Sequence, residues 1–422
     1  MIETCIVYCF SVIIFIQGVN NRRIRVAQML IVAMLAILAF CFQPLNSDDL
    51  LREFSALDGL REYGWDYFGK VSHFIDGDVG RVTSSKFDGI YVTQLIYYLF
   101  SRIPVYNVMP AVIVGVQFFL EFKLLNKLQR KYNLDAVALV ALFIALLCFR
   151  EYRYMASGIR NQLAMTIAVY ILYSDIFEKK NFLKCCIGYI LCGMIHQTAY
   201  IVLLIRLIVL IPSGVILTLI SIGALFWSNL VTVIKDTLVL YVNNPVLNSI
   251  LWKMTAYTEG SGDASNLIVS GLYGWVIRSN YGIILLVVIS AYIIFKNKTA
   301  FMSQSEEFYK PNILDKIFGV RSNERDGIWI AVLTVCFALG ASNFYWMYLR
   351  IFIILHIWMV VVAAIIFSGY NTLSESDLYY SYGKAHQKYL FVLLFAVAVK
   401  FGIMTLFVNT SFNFNLFGLY PR

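Results

Sequence analysis

The sequence predicts an all-α, polytopic integral membrane protein with about 12 transmembrane helices. Hydrophobic residues make up 60% of the 422 residues, charged residues only 14%, and the mean hydropathy is +0.73. A soluble domain has roughly a quarter charged residues, so this composition is typical of a chain that is embedded in lipid. We therefore treat residues 1–422 as a single polytopic membrane domain.

Twelve apolar runs are the predicted spans, because a helix of roughly 20 apolar residues crosses the hydrocarbon core. A further apolar run at 89–101 is too short to cross, and we expect a re-entrant or interfacial helix there. The run at 181–212 is too long for one span and contains His196, so we expect two short helices that meet at this residue. The predicted spans are 2–18, 25–43, 104–122, 135–150, 158–176, 182–196, 198–211, 214–234, 279–296, 327–345, 350–368 and 388–408.

Lysine and arginine residues predict the orientation, because they collect in loops that stay in the cytoplasm. With the basic segments inside, both termini lie outside. Segment 44–103 is then an external loop with short helices, 235–278 is a second external loop, and 297–326 is a cytoplasmic loop. The net charge of +9 therefore has an explanation in membrane topology, and we expect no nucleic-acid partner. The basic segments are 20–25, 123–131, 178–184 and 296–325.

Three acidic and basic residues follow the second predicted span. Asp48 and Asp49 begin the external segment, and Arg52 comes one helical turn later. In one interpretation they stabilise a helix start, with Arg52 pairing Asp48 at i, i+4. In the other, a carboxylate at the membrane face acts as a general base for a hydroxyl or holds a divalent cation on a phosphate.

Arginines also crowd one predicted external turn. Arg150, Arg153 and Arg160 lie close together in the sequence, and Gln162 follows inside the start of the next span. Arg160 could extend to the interface from a helix end. Three arginines on the outer side are nevertheless unusual, and the guanidinium fork suits phosphate oxygens, so we interpret them as an anion site.

Two further candidates lie at predicted external helix ends. His196 is one of four histidines. Its neutral imidazole could take a proton from a hydroxyl, or the residue could simply be buried with its hydrogen bonds made inside the core. Arg350 follows an aromatic run that contains Tyr345, Trp346 and Tyr348. In one interpretation the arginine binds a phosphate and the aromatic rings stack on sugar rings; in the other, the aromatic residues form a belt at the membrane interface.

Other features of the sequence indicate structural roles or the absence of known catalytic motifs. We expect His356, in the middle of an aliphatic span, to pack in the core, and the eight cysteines to be small core hydrophobes. The chain has no Gly-rich phosphate loop, no nucleophile elbow and no HExxH motif, so we expect no cofactor and no metal.

From about residue 40 to 212 the chain resembles the EpsG family of Wzy-type polymerases, which make bacterial surface polysaccharides. The C-terminal half resembles the family in layout, through Arg350 and the final NLFGLYPR at 415–422. The segments that carry the resemblance are SDDLLREF (47–54), DGIYVTQLIYYLFS (88–101), SGIRNQLAMTIAVYILY (157–173), EKK (178–180) and GYILCGMIHQTAYIVLL (188–204).

The resemblance implies glycosyl transfer in the bacterial cytoplasmic (inner) membrane, with the active site facing the periplasm or exterior. The substrates would be glycan repeat units linked to undecaprenyl pyrophosphate, and the product an O-antigen, capsule or exopolysaccharide. A flippase and a chain-length regulator would be partners. The implied catalytic residues are His196, Asp48 and Asp49, and the implied substrate-binding residues are Arg160, Arg350, Arg153, Gln162 and Arg52.

Two other functions fit parts of the pattern. A GT-C-like glycosyltransferase that uses a polyprenyl-phosphate sugar would also place carboxylates in an early external loop, although such enzymes typically add a larger external domain. A lipid-linked oligosaccharide flippase or another transporter would be expected to show repeat symmetry between its halves, and no such repeat stands out in the sequence.

Overall fold

The computed structural model describes residues 2–44, 48–70, 72–73, 84–85, 90–229, 233, 272–296, 323–342, 345–368 and 378–404. These residues are helical apart from connecting turns and one short antiparallel ladder, in which β1 (Ser72–His73) pairs with β2 (Ser84–Ser85). The predicted all-α class is therefore confirmed for the described part of the chain.

The helices run as follows in chain order, with two 3-10 segments at Gly64–Asp66 and Gln197–Ala199. They are α1 (Ile2–Asn20), α2 (Ile24–Phe40), α3 (Asp49–Tyr63), α4 (Tyr67–Lys70), α5 (Tyr91–Ser101), α6 (Val108–Tyr132), α7 (Ala136–Phe149), α8 (Tyr152–Ser157), α9 (Ile159–Ile176), α10 (Phe182–Ile195), α11 (Tyr200–Val209), α12 (Gly214–Ala224), α13 (Leu272–Ser279), α14 (Tyr281–Lys296), α15 (Asn323–Gly340), α16 (Tyr345–Ser368) and α17 (Leu378–Ile403).

Four stretches of helix in the described residues are long and apolar enough to cross a membrane, by length and composition. They are Glu3–Asn20, Val108–Tyr132, Ile277–Lys296 and Trp346–Ser368. The other predicted spans correspond to helices that are shorter or more polar, among them α2, α7, α10, α11 and α12. The apolar helices are those of a membrane protein, but the structure supports four candidate spans where the sequence predicts twelve.

Helix α6 shows where a predicted boundary is wrong. The sequence predicts a span at 104–122 followed by a basic loop at 123–131, but the helix continues to Tyr132. Leu124, Leu125 and Leu128 are buried at helical spacing, so the basic residues occupy the outer face of the last turns rather than a loop. The helix ends at Asn133, whose φ of 45° lies in the left-handed region that stops helices.

The long apolar run at 181–212 is divided as predicted. Helix α10 ends at Ile195, His196 adopts an extended conformation with φ −150° and ψ 120°, and α11 begins at Tyr200 after a 3-10 turn. The run at 89–101 forms α5, whose 11 residues span only about 16 Å, too short to cross a bilayer.

The predicted loops are only partly within the described residues. Segment 44–103 does contain short helices, namely α3, α4 and α5. The predicted loop at 235–278 lies outside the described residues up to 271, and its last residues, which were expected in the loop, already belong to α13. The loop at 297–326 lies outside them up to 322, and 323–326 form the first turn of α15.

Helix α16 is the centre of the packing. It contacts α6, α7, α9, α14 and α15, and residues 351–368 are all buried. Trp358 of α16 donates a hydrogen bond from Nε1 to the carbonyl oxygen of Gly327 on α15, at 2.8 Å. This central position brings residues near the start of α16 next to the ends of several other helices.

Candidate functional site

One cavity collects polar side chains from distant parts of the chain. It contains about 830 Å³ of space, counted out to the open solvent at its mouth. The walls come from the start of α3, the segment between α7 and α9, the break between α10 and α11, and the neighbouring ends of α16 and α17. The lining residues are Asp49, Glu53, Arg150, Glu151, Tyr154, Gly158, Arg160, Asn161, Gln162, His196, Trp346, Leu349, Arg350, Ile353, His356 and Lys400.

Arg160 is held in the cavity wall by a buried carboxylate. Its Nε donates to Glu53 Oε1 at 3.1 Å, and its guanidinium carbon lies 6.0 Å from the ring centre of Tyr97. Glu53 shares the buried face of α3 with Leu50, Phe54 and other apolar residues, so burial raises the pKa of this carboxyl to about 7 although the charge of Arg160 lowers it. Arg160 is therefore positioned by an ion pair that titrates near neutral pH.

His196 lines the cavity at the break between α10 and α11. Thr93 donates a hydrogen bond to the carbonyl oxygen of Ile195 at 2.7 Å and so attaches this break to α5. The Nδ1 atom of His196 accepts a hydrogen bond from the backbone N–H of Thr198, at 3.4 Å. Because Nδ1 is the acceptor, a neutral ring carries its proton on Nε2 and is a hydrogen-bond donor there.

Arg150 does not belong to an open external turn as the sequence suggests. Its side chain is 1% exposed and forms an ion pair with Glu121 of α6, whose side chain is fully buried. It also donates to Thr166 Oγ1 at 2.8 Å, to Gln117 Oε1 at 3.0 Å and to the side-chain oxygen Oε1 of Gln162. Arg150 thus ties α6 to α9 within the cavity wall, and Gln162 supports it.

The acidic start of α3 also differs from the expected pairing. Arg52 pairs with Asp49 at i, i+3, at 3.2 Å on the surface, and not with Asp48 at i, i+4. Asp48 instead accepts a hydrogen bond from Arg153 at 2.9 Å. Asp49 lines the cavity, whereas Asp48, Arg52 and Arg153 do not.

Arg350 reaches the cavity from the start of α16. Trp346, Leu349 and Ile353 line it beside Arg350. Tyr348 is buried on another side of the helix, where its hydroxyl accepts a hydrogen bond from Asn280 at 3.3 Å. The side chain of Tyr345 lies outside the described residues. Of the three predicted aromatic neighbours, Trp346 is therefore the one found to line the cavity.

The inner end of the cavity holds polar residues that sequence reasoning missed. Lys400 is buried and donates to Ser279 Oγ at 2.9 Å and to Asn280 Oδ1 at 2.7 Å. Nε2 of His356 lies 3.2 Å from the same oxygen of Asn280. His356 is buried in the core as predicted, and it also lines the cavity beside this network. A lysine within the apolar run 388–408 is a signal that could have found the network.

Sequence reasoning also missed two acidic residues, Glu53, which pairs with Arg160, and Glu151. Glu151 has the more unusual environment. It precedes α8, lines the cavity, and neither of its buried carboxylate oxygens has a hydrogen-bond partner among the described residues. Its position beside Arg150 and Arg153 made it look like part of a charged turn. A buried acceptor without a partner is uncommon in folded proteins and calls for an explanation.

The cavity brings together five of the eight predicted site residues: Asp49, Arg160, Gln162, His196 and Arg350. Within the described ranges, no three histidine, cysteine, aspartate or glutamate side chains are grouped so that they could hold a metal ion. In comparisons with protein-family models, curated proteins and solved structures, nothing matches this chain. The chemistry of the cavity is therefore the basis for a functional assignment.

Proposed function

We propose that the protein is a glycosyl-transferring polymerase that joins lipid-linked oligosaccharide repeat units into a surface polysaccharide. The observation that carries the proposal is that Arg160, His196 and Arg350, which are far apart in the sequence, line one cavity. The resemblance to the EpsG family of Wzy-type polymerases points to Arg160 and His196 through the first half of the chain, and to Arg350 through the layout of the C-terminal half. Two arginines and a histidine in a partly enclosed space suit a phosphorylated substrate.

The leaving group in this reaction is undecaprenyl pyrophosphate. Its phosphate oxygens gain charge as the bond to the sugar breaks, and fixed positive charges that face them lower the barrier. We assign Arg160 and Arg350 to this role. The ion pair with Glu53 holds the Arg160 side chain before substrate arrives, so less conformational freedom is lost on binding.

His196 fits a donor role in the same reaction. With its Nδ1 atom engaged by Thr198, the neutral ring has an N–H on Nε2 to offer to a phosphate or sugar oxygen. A general base needs an unprotonated nitrogen, so this hydrogen bond favours His196 as a donor over the base role that the sequence suggests. Asp49 remains a candidate for contact with a sugar hydroxyl at the mouth.

The proposal includes a location. Lys127, in the last two turns of α6, pairs at 2.8 Å with Glu178, which follows α9 at the end opposite Arg160. If the lysine-rich ends face the cytoplasm, as the positive-inside rule requires, the cavity opens to the periplasm or exterior of a bacterial cytoplasmic membrane. A flippase would then deliver the repeat units, and a chain-length regulator would act on the product.

The test is elongation by purified protein in detergent, with labelled lipid-linked repeat units as the only substrate. We expect wild type to convert single units into a ladder of longer chains. The Arg160→Gln/Glu53→Gln variant removes both charges of the pair, so it avoids leaving a buried carboxylate alone, and it should form no ladder while eluting as folded protein. Arg102→Ala, which removes an exposed arginine that stacks on Tyr98, is the matched control and should elongate normally.

Three outcomes separate the alternatives. If wild type adds one sugar from a polyprenyl-phosphate donor and forms no ladder, the GT-C-like function replaces the polymerase. If it forms no product in any enzymatic assay but moves lipid-linked units across proteoliposomes, it is a transporter. A normal ladder from the Arg160→Gln/Glu53→Gln variant would remove Arg160 from the site.

A further inference from the structure

The inner part of the cavity contains a buried carboxylate for which the fold provides no partner. Both oxygens of Glu151 are inaccessible to solvent and form no hydrogen bond with any described residue. Nearby acids are all engaged: Glu53 with Arg160, Glu121 with Arg150, and Asp48 with Arg153. A group that is left unsatisfied in this way costs stability, so a hydrogen-bond donor from a ligand is the natural occupant.

The remaining candidates for a proton acceptor fit the role less well. The Nδ1 atom of His196 is already an acceptor for Thr198, which leaves the proton on Nε2. Asp49 is half-exposed at the mouth and pairs with Arg52. Nε2 of His356 already faces Asn280 within the inner network. Glu53 and Asn161 each have one buried oxygen without a hydrogen-bond partner among the described residues, but the carboxylate of Glu53 is held by Arg160 and Asn161 has a neutral amide, which is a poor base. Glu151 is the cavity-lining carboxylate in which both oxygens lack such a partner.

Resting on the proposed function, we propose that Glu151 is the general base that takes the proton from the acceptor sugar hydroxyl. No other group in the cavity combines a carboxylate, burial and two oxygens without a partner among the described residues. The inner end of the cavity is then the site for the non-reducing end of the acceptor repeat unit, and Arg160 and Arg350 hold the pyrophosphate of the donor nearer the mouth.

The proposed reaction is a single transfer of the donor glycan to the acceptor hydroxyl. The acceptor O–H bond breaks and its proton goes to a Glu151 oxygen, while the acceptor oxygen forms a bond to the anomeric carbon of the donor glycan. The bond from that carbon to the pyrophosphate oxygen breaks, and its electron pair leaves with the lipid pyrophosphate. Glu151 afterwards releases the proton to water, and no oxidant, reductant or nucleotide is required.

The charges around Glu151 suit a base that works near neutral pH. Burial raises the pKa of its carboxyl to about 8, the charges of Lys400 and Arg153 act to lower it, and Asp48 acts to raise it. These groups lie on α17, on α8 and just before α3, and the hydroxyl of Tyr8 on α1 is a further titratable neighbour. Because the active form is the ionised carboxylate, the rate should rise as pH increases through about 8.

The experiment measures elongation kinetics for full-length wild type and Glu151→Gln with labelled lipid-linked repeat units, between pH 6 and 9.5. Loss of a general base typically costs 10²–10⁴-fold, so we expect kcat to fall by about that factor, with KM changed less than about threefold. The rise of rate through about pH 8 should disappear in the variant. Glu62→Gln, at an exposed glutamate of α3, is the matched control and should keep both rate and profile.

A rescue measurement separates a base from a structural residue. Glu151→Ala leaves space beside the inner network, and added formate should restore part of the rate in a concentration-dependent way if a carboxylate is what the step lacks. The polymerase function and the role of Glu151 can be refuted by different results. If wild type forms no ladder, the polymerase function is wrong. If wild type elongates and Glu151→Gln keeps its rate and pH profile, or if formate restores nothing to a folded Glu151→Ala variant, Glu151 is not the base.

Discussion

Removing one partner of the buried ion pair between Arg150 and Glu121, in the cavity wall, should cause a large and specific loss of stability. The side chains of Arg150 and Glu121 are 1% and 0% exposed, and together they join α6 to the segment that carries the cavity. Arg150→Gln would leave the carboxylate of Glu121 buried without its counter-charge. Removing one partner of such a pair typically costs about 3–5 kcal/mol, which lowers the folded-to-unfolded ratio at least about 100-fold.

A double-mutant cycle measures the pair itself. We expect Arg150→Gln and Glu121→Gln each to destabilise strongly, and the double variant to recover about 2 kcal/mol or more relative to the sum of the two, because no unpaired charge remains. The measurement is reversible unfolding in mixed micelles, followed by tryptophan fluorescence. Arg52→Gln removes the arginine of an exposed pair with 65% and 50% exposed side chains, and should cost less than about 1 kcal/mol.

Two results would refute this reasoning. The first is an Arg150→Gln variant whose free energy of unfolding stays within about 1 kcal/mol of wild type. The second is strict additivity in the cycle, which would mean that the two side chains act independently and that the hydrogen bonds of Arg150 to its neutral neighbours dominate.

Two further predictions concern α3 and the contact of α12 with α15. Burial raises the pKa of Glu53 from 4.5 to about 7, so the folded protein binds a proton that the unfolded chain releases, and stability should fall as pH rises from about 4.5 to about 7. Unfolding midpoints at four pH values should show this slope in wild type and a shallower one in Glu53→Gln, where the buried carboxyl of Glu151 still contributes; an unchanged slope contradicts the assignment. Gly340→Ala should lower the unfolding midpoint by several degrees, because the added methyl overlaps the carbonyl oxygen of Ala224, whereas Gly223→Ala meets no atom and should be neutral or slightly stabilising. Equal midpoints for the two glycine variants would rule out that close contact.

The sequence allowed the grouping of the main site residues because each lies at a predicted helix end. Alternating crossings put the starts of the predicted spans at 158–176 and 350–368 on the same side as the end of the span at 182–196. Arg160, Arg350 and His196 could therefore be expected on one face without any knowledge of packing. The break at His196 was also predictable, since an apolar run of that length does not fit in one crossing.

The sequence could not predict which residues form ion pairs and hydrogen bonds with each other, because this depends on which helices pack together. Glu121 and Arg150 sit in different predicted spans, and only the packing of α6 against the segment before α9 brings them together. The network of Lys400, Asn280 and His356 joins three helices from the C-terminal half in the same way. Local spacing did mislead at Arg52, where i, i+3 and i, i+4 partners are both acidic and the structure selects Asp49.

The burial of α16 has a consequence for what hydropathy measures. Its stretch is the most apolar of the four candidate spans and residues 351–368 are all buried, whereas only 22% of Glu3–Asn20 is buried. Hydrophobicity in such a chain therefore reports how readily a segment leaves water during synthesis, and not which segment ends up against lipid. The central helix keeps its apolar surface for protein neighbours, so the most apolar segment of such a chain need not be the one that faces lipid.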